Sequence, residues 1–307
     1  MSLGRESVVG PARAVRPGRV GAALGDYLAL VKPRVLALLL FTAFAAMVLA
    51  SGGFPSAVLL IAVMAGGTMA AGGANAINQW FERDIDGRME RTRRRPVPSG
   101  RVGGRRALLF GLALIAASQP VFAAGANLAA AGLALCGSLA YIFVYTVWLK
   151  RSSPLNVVIG AAAGAVPPLV GWAAVTGGLG AGAWCLSGIV LLWTPPHLWS
   201  LALVTRSDYA RARVPMLPVV AGEAWTARAV LAYAAALVPL TLAFTAAVPS
   251  LGPLYSACAA GLGGMFVALA AALAWRPSPA AAFRLFKYSG LYLALLCVAA
   301  VIDGSIV

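Results

Sequence analysis

The chain has 307 residues, of which 61% are hydrophobic and 11% are charged, and its formal net charge is +15. Soluble domains carry about 25% charged residues, so a chain this apolar cannot hide its side chains in one soluble core. The composition excludes a cytosolic enzyme, a disordered protein and a fibre, and it predicts a protein of the lipid bilayer.

The chain opens on a basic segment. Residues 1–25 contain several arginines and no apolar stretch that could serve as a signal peptide. We predict a basic, disordered tail over residues 1–25, followed by a single transmembrane domain over residues 26–307.

Nine apolar runs follow in the predicted domain, each close to the ~20 residues that a spanning helix needs. None of them alternates between apolar and polar residues as the strands of a membrane β-barrel do. The predicted fold is therefore an all-α polytopic membrane protein with about nine transmembrane helices. The runs lie at 31–50, 57–80, 105–124, 127–148, 154–176, 181–204, 227–248, 252–274 and 284–303.

The charges of the chain are distributed unevenly between the two predicted membrane faces. All 24 Lys and Arg residues lie on the face that carries the N-terminus, at 1–34, 81–106, 149–153, 205–228 and 275–287. Since positively charged loops stay inside the cell, we predict that the N-terminus is cytoplasmic and the C-terminus is outside. Of the acidic residues only Asp303 lies on the other face. The ionisable chemistry of the protein is thus expected on its cytoplasmic face.

The longest polar segment follows the second apolar run, at residues 75–96. Asn78, Glu82 and Asp86 recur at every fourth position, so a helix places them on one stripe. Such oxygen ligands suit Mg²⁺, which binds through one or two carboxylates together with substrate phosphates. The arginines that follow would repel a bare cation, so they favour a diphosphate that Mg²⁺ and Arg share. The alternative for the arginines alone is a solvated loop that obeys the positive-inside bias.

A second polar segment, residues 197–222, follows the sixth run and repeats the order of acid, basic residues, two prolines and glycine. His197, the only histidine of the sequence, follows Pro195 and Pro196, which predict an unwound turn with free backbone carbonyls. A third group of basic residues, Lys150 and Arg151, lies on the same predicted face. This pattern favours capture of a diphosphate whose lipid tail lies among the helices.

Together these segments resemble the UbiA superfamily of intramembrane prenyltransferases. The resemblance rests on the first aspartate-rich motif and on three further stretches, and it covers about residues 30–225. It is closest to the members that farnesylate heme. The matching stretches lie at 78–96, 145–156, 164–172 and 193–220.

The resemblance implies a reaction and a place for it. Farnesyl diphosphate would bind with Mg²⁺ and ionise, a vinyl group of heme B would attack the allylic cation, and water would complete heme O. Metal and cations would stabilise the departing diphosphate, while the helices would keep stray water from the cation. The implied setting is a helix bundle around a central cavity in the cell inner membrane, with the active site facing the cytoplasm. Heme A synthase or terminal-oxidase assembly proteins are candidate partners, and no nucleic-acid partner is expected.

Roles for individual residues are likewise implied by the resemblance. The metal ligands are oxygen-bearing side chains of the first motif: Asn78, Glu82 and Asp86. The catalytic residues are carboxylates of both motifs: Asp84, Asp86 and Asp208. The diphosphate is bound by cationic side chains: Arg91, Arg95, Lys150 and Arg206. The candidate heme-binding residue is His197.

The sequence departs from the family pattern at two positions. Glu82 stands where the family usually has Asp, which changes the reach of that ligand by one methylene group. Asp208 is the only acid of the second motif, with Ala212 four residues further on, and this weakens a two-metal site.

Three alternatives stay open on the sequence. The first is the same fold with another acceptor, such as an aromatic quinone precursor or chlorophyllide. The second is a membrane CDP-alcohol phosphotransferase, but the residues that follow Asp86-Gly87 do not match its motif. The third is a transporter, which should carry ionisable residues at mid-bilayer, where the predicted helices carry almost none.

Overall fold

The computed structural model describes residues 20–306, and residues 1–19 of the predicted tail lie outside this range. The described chain begins with a helix, Val20–Val31, so residues 20–25 of the predicted tail belong to that helix. The rest of the described chain is helices and short connections, with no strand among the residues described.

Nine helices of the described chain are long and apolar enough to span a membrane, which confirms the predicted fold class. We number them in chain order: α1 (Pro33–Ser51), α2 (Ala57–Phe81), α3 (Gly104–Gly125), α4 (Leu128–Ser152), α5 (Asn156–Thr176), α6 (Ala181–Val204), α7 (Glu223–Ala247), α8 (Pro253–Trp275) and α9 (Pro279–Ser305). Each contains most of one predicted apolar run.

The largest differences from the predicted boundaries are at the starts of α7 and α9 and at the end of α4, which continues to Ser152 beyond the run 127–148. Helices α7 and α9 begin at Glu223 and Pro279, whereas the apolar runs begin at 227 and 284. Both runs already include the first arginine, Arg228 or Arg284, and leave out the turn before it. That turn is helical because an acidic residue such as Glu223 is favourable at a helix N-terminus and a proline such as Pro279 is favourable in the first turn.

Three shorter helices connect the spans at one end of the bundle. They are Arg83–Asp86 after α2, and Arg206–Arg211 and Leu217–Val220 between α6 and α7. Two spans are irregular inside. The second half of α4 is a π-helix, Ala140–Leu149, and α5 bends at Ala165 between its two helical halves. The irregular half of α4 runs toward the same end of the bundle as the short helices.

Close backbone contact fixes α2 against α3. A Cβ atom added to Gly73 would lie 2.5 Å from the carbonyl oxygen of Gly111, and one added to Gly111 would lie 2.7 Å from the carbonyl oxygen of Gly73. Only glycine permits such an approach, as in other small-residue crossings of membrane helices. Because α2 leads into the first polar segment, this crossing sets the position of that segment.

The bundle has two parts joined through α1 and through the contact of α5 with α6. Helices α2 to α5 pack in sequence, and α6 to α9 form a second group in which α6 contacts both α7 and α9. Helix α1 packs against α5 on one side and α9 on the other. The largest buried apolar cluster lies in the second group.

The unwound turn predicted at Pro195 and Pro196 is wrong, because α6 is a continuous helix through both prolines. Of the nine spanning helices, α6 is the most buried, and it packs against α5, α7 and α9. The hydroxyl group of Thr194 donates to the Val190 carbonyl at 2.7 Å, and that of Ser200 donates to the Pro196 carbonyl at 2.6 Å. Pro195 and Pro196 leave the carbonyls of Leu191 and Leu192 without a helical amide donor, and packing against the neighbouring helices keeps α6 helical in spite of this loss.

Candidate active site

The first polar segment keeps its helical spacing although α2 ends at Phe81. The Glu82 amide donates to the Asn78 carbonyl at 2.9 Å, and the Asp86 amide donates to the Glu82 carbonyl at 2.8 Å. Glu82 and Asp86 are only 1% and 2% exposed. The structure therefore brings Asn78, Glu82 and Asp86 together on the buried side of the chain, at the end of α2.

Each of these three side chains contacts a cation from another part of the chain. The Lys150 ammonium lies 2.5 Å from Glu82 Oε2. Arg95 donates through one guanidinium nitrogen to both carboxylate oxygens of Asp86, at 3.0 and 2.8 Å. The Lys32 ammonium donates to Asn78 Oδ1 at 3.1 Å. Buried charges need such partners, because an unpaired ion loses its hydration without compensation.

The oxygen atoms of this group suit Mg²⁺ as part of a coordination sphere. Glu82 Oε1 is buried and has no hydrogen-bond partner. The Asn78 amide nitrogen donates to the Thr146 hydroxyl at 3.0 Å, which leaves Asn78 Oδ1 facing the cluster. In the described range, no three His, Cys, Asp or Glu side chains form a metal-binding group on their own. The residues therefore fit a Mg²⁺ ion that takes its remaining ligands from phosphate oxygens.

Lys32 is a member of this cluster that sequence reasoning missed. It lies between Val31 and Pro33, in the left-handed conformation with φ 58° and ψ 63°. Burial, and after it the nearby positive charge of Arg95, lowers the pKa of Lys32 from 10.5 to about 7. Its only sequence signal is a Lys-Pro pair before the first apolar run, which the positive-inside bias explains equally well.

Asp84 and Arg206 do not join the buried cluster. The Asp84 side chain is 52% exposed and pairs with Arg151, whose guanidinium holds the pKa of that carboxyl below its usual range. Arg206 donates to the Pro218 carbonyl at 2.9 Å and pairs with Glu223 at 3.1 Å. Asp84 thus holds the end of α4 against the end of α2, and Arg206 secures its own connection between α6 and α7.

Asp208 connects the second polar segment to the first. Its carboxylate is buried, pairs with Arg211 and accepts the backbone amide hydrogen of Arg91 at 3.3 Å. The Arg91 side chain is exposed, so this residue meets Asp208 through its main chain. The two polar segments therefore lie side by side, as their shared face in the sequence predicts.

His197 occupies an aromatic slot between α6 and α9. Its ring stacks between Trp193, at a centroid distance of 4.4 Å, and Phe286, at 4.6 Å. The Ser289 hydroxyl donates to the Phe286 carbonyl at 2.8 Å and lies 2.7 Å from His197 Nδ1. When the single hydroxyl hydrogen is on the Phe286 carbonyl, His197 Nδ1 donates to Ser289 Oγ. In this tautomer Nε2 carries the lone pair and is suited to accept a proton or bind a metal.

The fold and site define a polytopic membrane protein in which three of the four buried carboxylates of the described chain, those of Glu82, Asp86 and Asp208, gather at one end of a helix bundle. The chain matches the model of the UbiA prenyltransferase family over residues 39–296, and it belongs to this family. It is therefore a membrane prenyltransferase, and the resemblance seen in the motifs is confirmed.

Curated relatives share about half of their residues with this chain. It is 55% identical over 223 residues to protoheme IX farnesyltransferase of Gloeobacter violaceus, covering 73% of each chain. It is 49% identical over 287 residues to the enzyme of the same name from Thermosynechococcus vestitus, covering 93% of this chain and 90% of the relative. The match thus includes nearly all of the helical domain.

Solved structures show the same fold at lower identity. A digeranylgeranylglyceryl phosphate synthase superimposes with a TM-score of 0.76 at 18% identity, over 93% of this chain and 100% of the other. A UbiA homolog from Archaeoglobus fulgidus, bound to GPP and Mg²⁺, superimposes with a TM-score of 0.62 at 17% identity, over 92% and 100%. These two structures support the helix arrangement described above.

Proposed function

We propose that this prenyltransferase moves a farnesyl group from farnesyl diphosphate to a vinyl group of heme B and so produces heme O. The acceptor and the chain length of the donor are supported by the relatives named protoheme IX farnesyltransferase, which match most of the chain. The geometric observation that carries the proposal is the buried group of Asn78, Glu82 and Asp86 with its three cations.

Asn78, Glu82 and Asp86 would hold Mg²⁺, as they do by implication of the family motif. The unpartnered Oε1 atom of Glu82 supports this assignment. The A. fulgidus homolog bound to GPP and Mg²⁺ supports the use of Mg²⁺ with a prenyl diphosphate, without identifying the ligands in this chain. When bound, the metal supplies positive charge to the leaving diphosphate. Glu82 and Asp86 would position that charge at the end of α2.

Cationic side chains would bind the diphosphate and stabilise it as it leaves. Lys150 and Arg95 are held at the cluster by Glu82 and Asp86, within reach of an anion that approaches them. Arg91 joins them through the main-chain contact that Asp208 makes with it. Preorganised cations of this kind lower the barrier because charge develops on the leaving oxygen in the transition state.

Asp84 and Arg206 have no catalytic or diphosphate-binding role in this proposal, because both lie outside the buried cluster. Asp84 holds Arg151 at the end of α4, and Arg206 anchors the connection between α6 and α7. Both would position neighbouring segments without touching the substrates.

His197 would bind the heme acceptor. Its Nε2 lone pair suits the heme iron, and neutral imidazole is a common axial ligand of heme. Ser289 would fix the tautomer, and Trp193 and Phe286 would hold the ring plane.

The chemical balance of the transfer is simple. The bond between carbon 1 of the farnesyl chain and the diphosphate oxygen breaks, and the electron pair leaves with diphosphate. The terminal vinyl carbon of heme B then bonds to carbon 1. Water adds to the resulting cation beside the porphyrin ring and releases one proton. The apolar helix bundle would keep other water molecules from the allylic cation.

The site would face the cytoplasm from the cell inner membrane, with the N-terminus cytoplasmic and the C-terminus outside. The basic residues on one face of the chain support this orientation. Heme A synthase and terminal-oxidase assembly proteins are candidate partners, since they would receive heme O.

One assay tests the proposal. Membranes containing the protein are incubated with farnesyl diphosphate, Mg²⁺ and heme B, and heme O is detected by its mass. Wild type should form heme O, and Asp86→Ala should form none above background. The proposal would be rejected if wild type formed no heme O, or if Asp86→Ala formed as much heme O as wild type. It would also be rejected if wild type prenylated a quinone precursor or chlorophyllide instead of heme B.

A further inference from the structure

We infer that Lys32 is a further diphosphate-binding residue, held in place for that role by the side-chain amides of Asn75 and Gln79. This inference rests on the proposed function, because it adds a residue to the site that binds the prenyl donor.

The first observation is the socket that fixes the Lys32 backbone. The helix Val20–Val31 ends just before this residue, where its last carbonyl groups lack helical partners. Gln79 donates to the Leu30 carbonyl at 3.0 Å and to the Ala29 carbonyl at 3.3 Å, and Asn75 donates to the Val31 carbonyl at 3.2 Å. Both amides are buried side chains of α2. The helix that carries Lys32 is thus attached to the helix that carries the proposed metal ligands.

The second observation is the conformation of Lys32 itself. A left-handed backbone at a helix end is usually occupied by glycine, and a residue before proline favours extended conformations. Lys32 has a Cβ atom, precedes Pro33 and still has φ 58°. Such conformations persist where the surroundings determine them strongly, and they are frequent at functional sites. Here the result is that the ammonium group points to Asn78 Oδ1.

The third observation is the charge of the cluster. Lys32, Arg95 and Lys150 are the three basic groups of the cluster, whereas Glu82 and Asp86 are its two acidic groups. Glu82 pairs with Lys150 and Asp86 pairs with Arg95, and within the described part of the chain Lys32 forms an ion pair with no carboxylate. Lys32 is therefore the cation of the cluster that has only a neutral partner and is best able to bind an incoming anion.

A diphosphate fits this position better than a carboxylate of the acceptor. Lys32 contacts Asn78, a proposed metal ligand, and it shares the cluster with two cations already proposed to bind phosphate. His197, the proposed heme-binding residue, has its partners on α6 and α9 instead.

The test measures binding of a donor analogue that does not ionise, farnesyl S-thiolodiphosphate, to the purified full-length protein in lipid nanodiscs with Mg²⁺. Isothermal titration calorimetry gives the Kd of wild type, Lys32→Met and Lys32→Arg. Loss of one charged hydrogen bond should weaken binding about 10- to 100-fold in Lys32→Met. Lys32→Arg, which keeps the charge, should stay within a few-fold of wild type.

A matched control is Lys287→Met. The chain has only three lysines, and Lys287 is exposed at the start of α9, where its ammonium lies over the Phe283 ring. This variant should bind the analogue as wild type does. Heme B affinity, measured by Soret titration, should be the same in Lys32→Met and wild type.

The outcomes separate this inference from the proposed function. If wild type does not bind the analogue, the proposed function fails. If wild type binds and Lys32→Met binds equally well, or if it loses analogue and heme affinity together, Lys32 has no specific role and the inference alone is overturned. Should Lys32→Met not fold, Gln79→Met provides the second test. Loosening the socket should weaken analogue binding by about three- to tenfold, and an unchanged Kd would overturn the inference.

Discussion

The two polar segments follow the same order of residues in the sequence but are built differently in three dimensions. In the first, Glu82 pairs with Lys150 across 68 positions, and Asn78 accepts from Lys32 across 46. In the second, Asp208 pairs with Arg211 three positions away, and Arg206 pairs with Glu223 across 17. Asn78 and Glu82 of the first segment therefore pair with cations from distant parts of the chain, whereas the ion pairs of the second segment are local and only the Arg91 amide, which donates to Asp208, links it to the first.

This difference shows what residue order alone cannot tell. An ion pair between a carboxylate and a cation from a distant part of the chain forms only when the whole bundle is assembled. The groups around such a pair can therefore create a binding site. A carboxylate with a partner one helical turn away can pair in an isolated helix, where such pairs contribute little. We expect the two segments to differ sharply when their charges are removed.

The largest effect is expected for Glu82→Gln. The substitution keeps the size of the side chain but removes a proposed metal ligand and leaves Lys150 without its partner. The rate of heme O formation should fall about 100- to 1000-fold, the size seen when a preorganised charge of an active site is removed. Initial rates by mass spectrometry give the measurement, and a fall of less than about tenfold would remove the distinction between the segments.

A smaller effect is expected for Asp208→Asn. The change weakens the attachment of the Arg91 main chain but leaves the first cluster intact. The KM for farnesyl diphosphate should rise about three- to tenfold while kcat changes less. A loss as large as that of Glu82→Gln would show that Asp208 acts on the reacting groups directly.

Lys32, which contacts the first segment, should also make the stability of the folded protein depend on pH. The pKa of Lys32 is lowered in the folded state from 10.5 to about 7, so between these values the unfolded chain binds more protons at this residue. Stability should therefore rise as pH increases from about 7 toward 10.5. The Tm of the ligand-free protein in detergent should show this rise, and Lys32→Met should flatten it. If the Tm of Lys32→Met rises with pH as steeply as that of wild type, other groups cause the rise.

The smallest effect is expected for Arg206→Met in the second segment. Its partners are exposed or part of the local loop, so the loss should be about 0.2–1 kcal/mol of stability. Heme O formation should stay within about twofold of wild type, with Glu223→Gln as the matched change at the partner. A tenfold loss of activity would return Arg206 to the proposed diphosphate site.

The fold was accessible from the sequence because apolar runs of ~20 residues have few other interpretations. Where the prediction for α6 failed, tertiary contacts were the cause. Pro195 and Pro196 predict a broken helix, but the neighbours of α6 keep it continuous. The starts of α7 and α9 lie about one turn before the apolar runs, because helices begin on residues such as Glu223 and Pro279 that a search for apolar runs leaves out.

The candidate site was accessible only in part. Spacing of four residues identified Asn78, Glu82 and Asp86, since their arrangement depends on one helix. Asp84 lies between two of them in the sequence, yet it faces outward, and a two-residue step on a helix explains this. The position of Lys32 depends on a contact between separate helices, which no local pattern reports.

The pairing of Glu82 with Lys150 and of Asp86 with Arg95 has a thermodynamic consequence for the proposed reaction. In the ligand-free protein the proposed metal ligands are already neutralised from within, so a bare divalent ion must compete with side chains of the chain itself. An anion that draws Lys150 and Arg95 toward itself releases those carboxylate oxygens. Each ligand should then raise the affinity for the other by the same factor, as linkage requires. The enzyme would acquire its metal and its prenyl donor as one event.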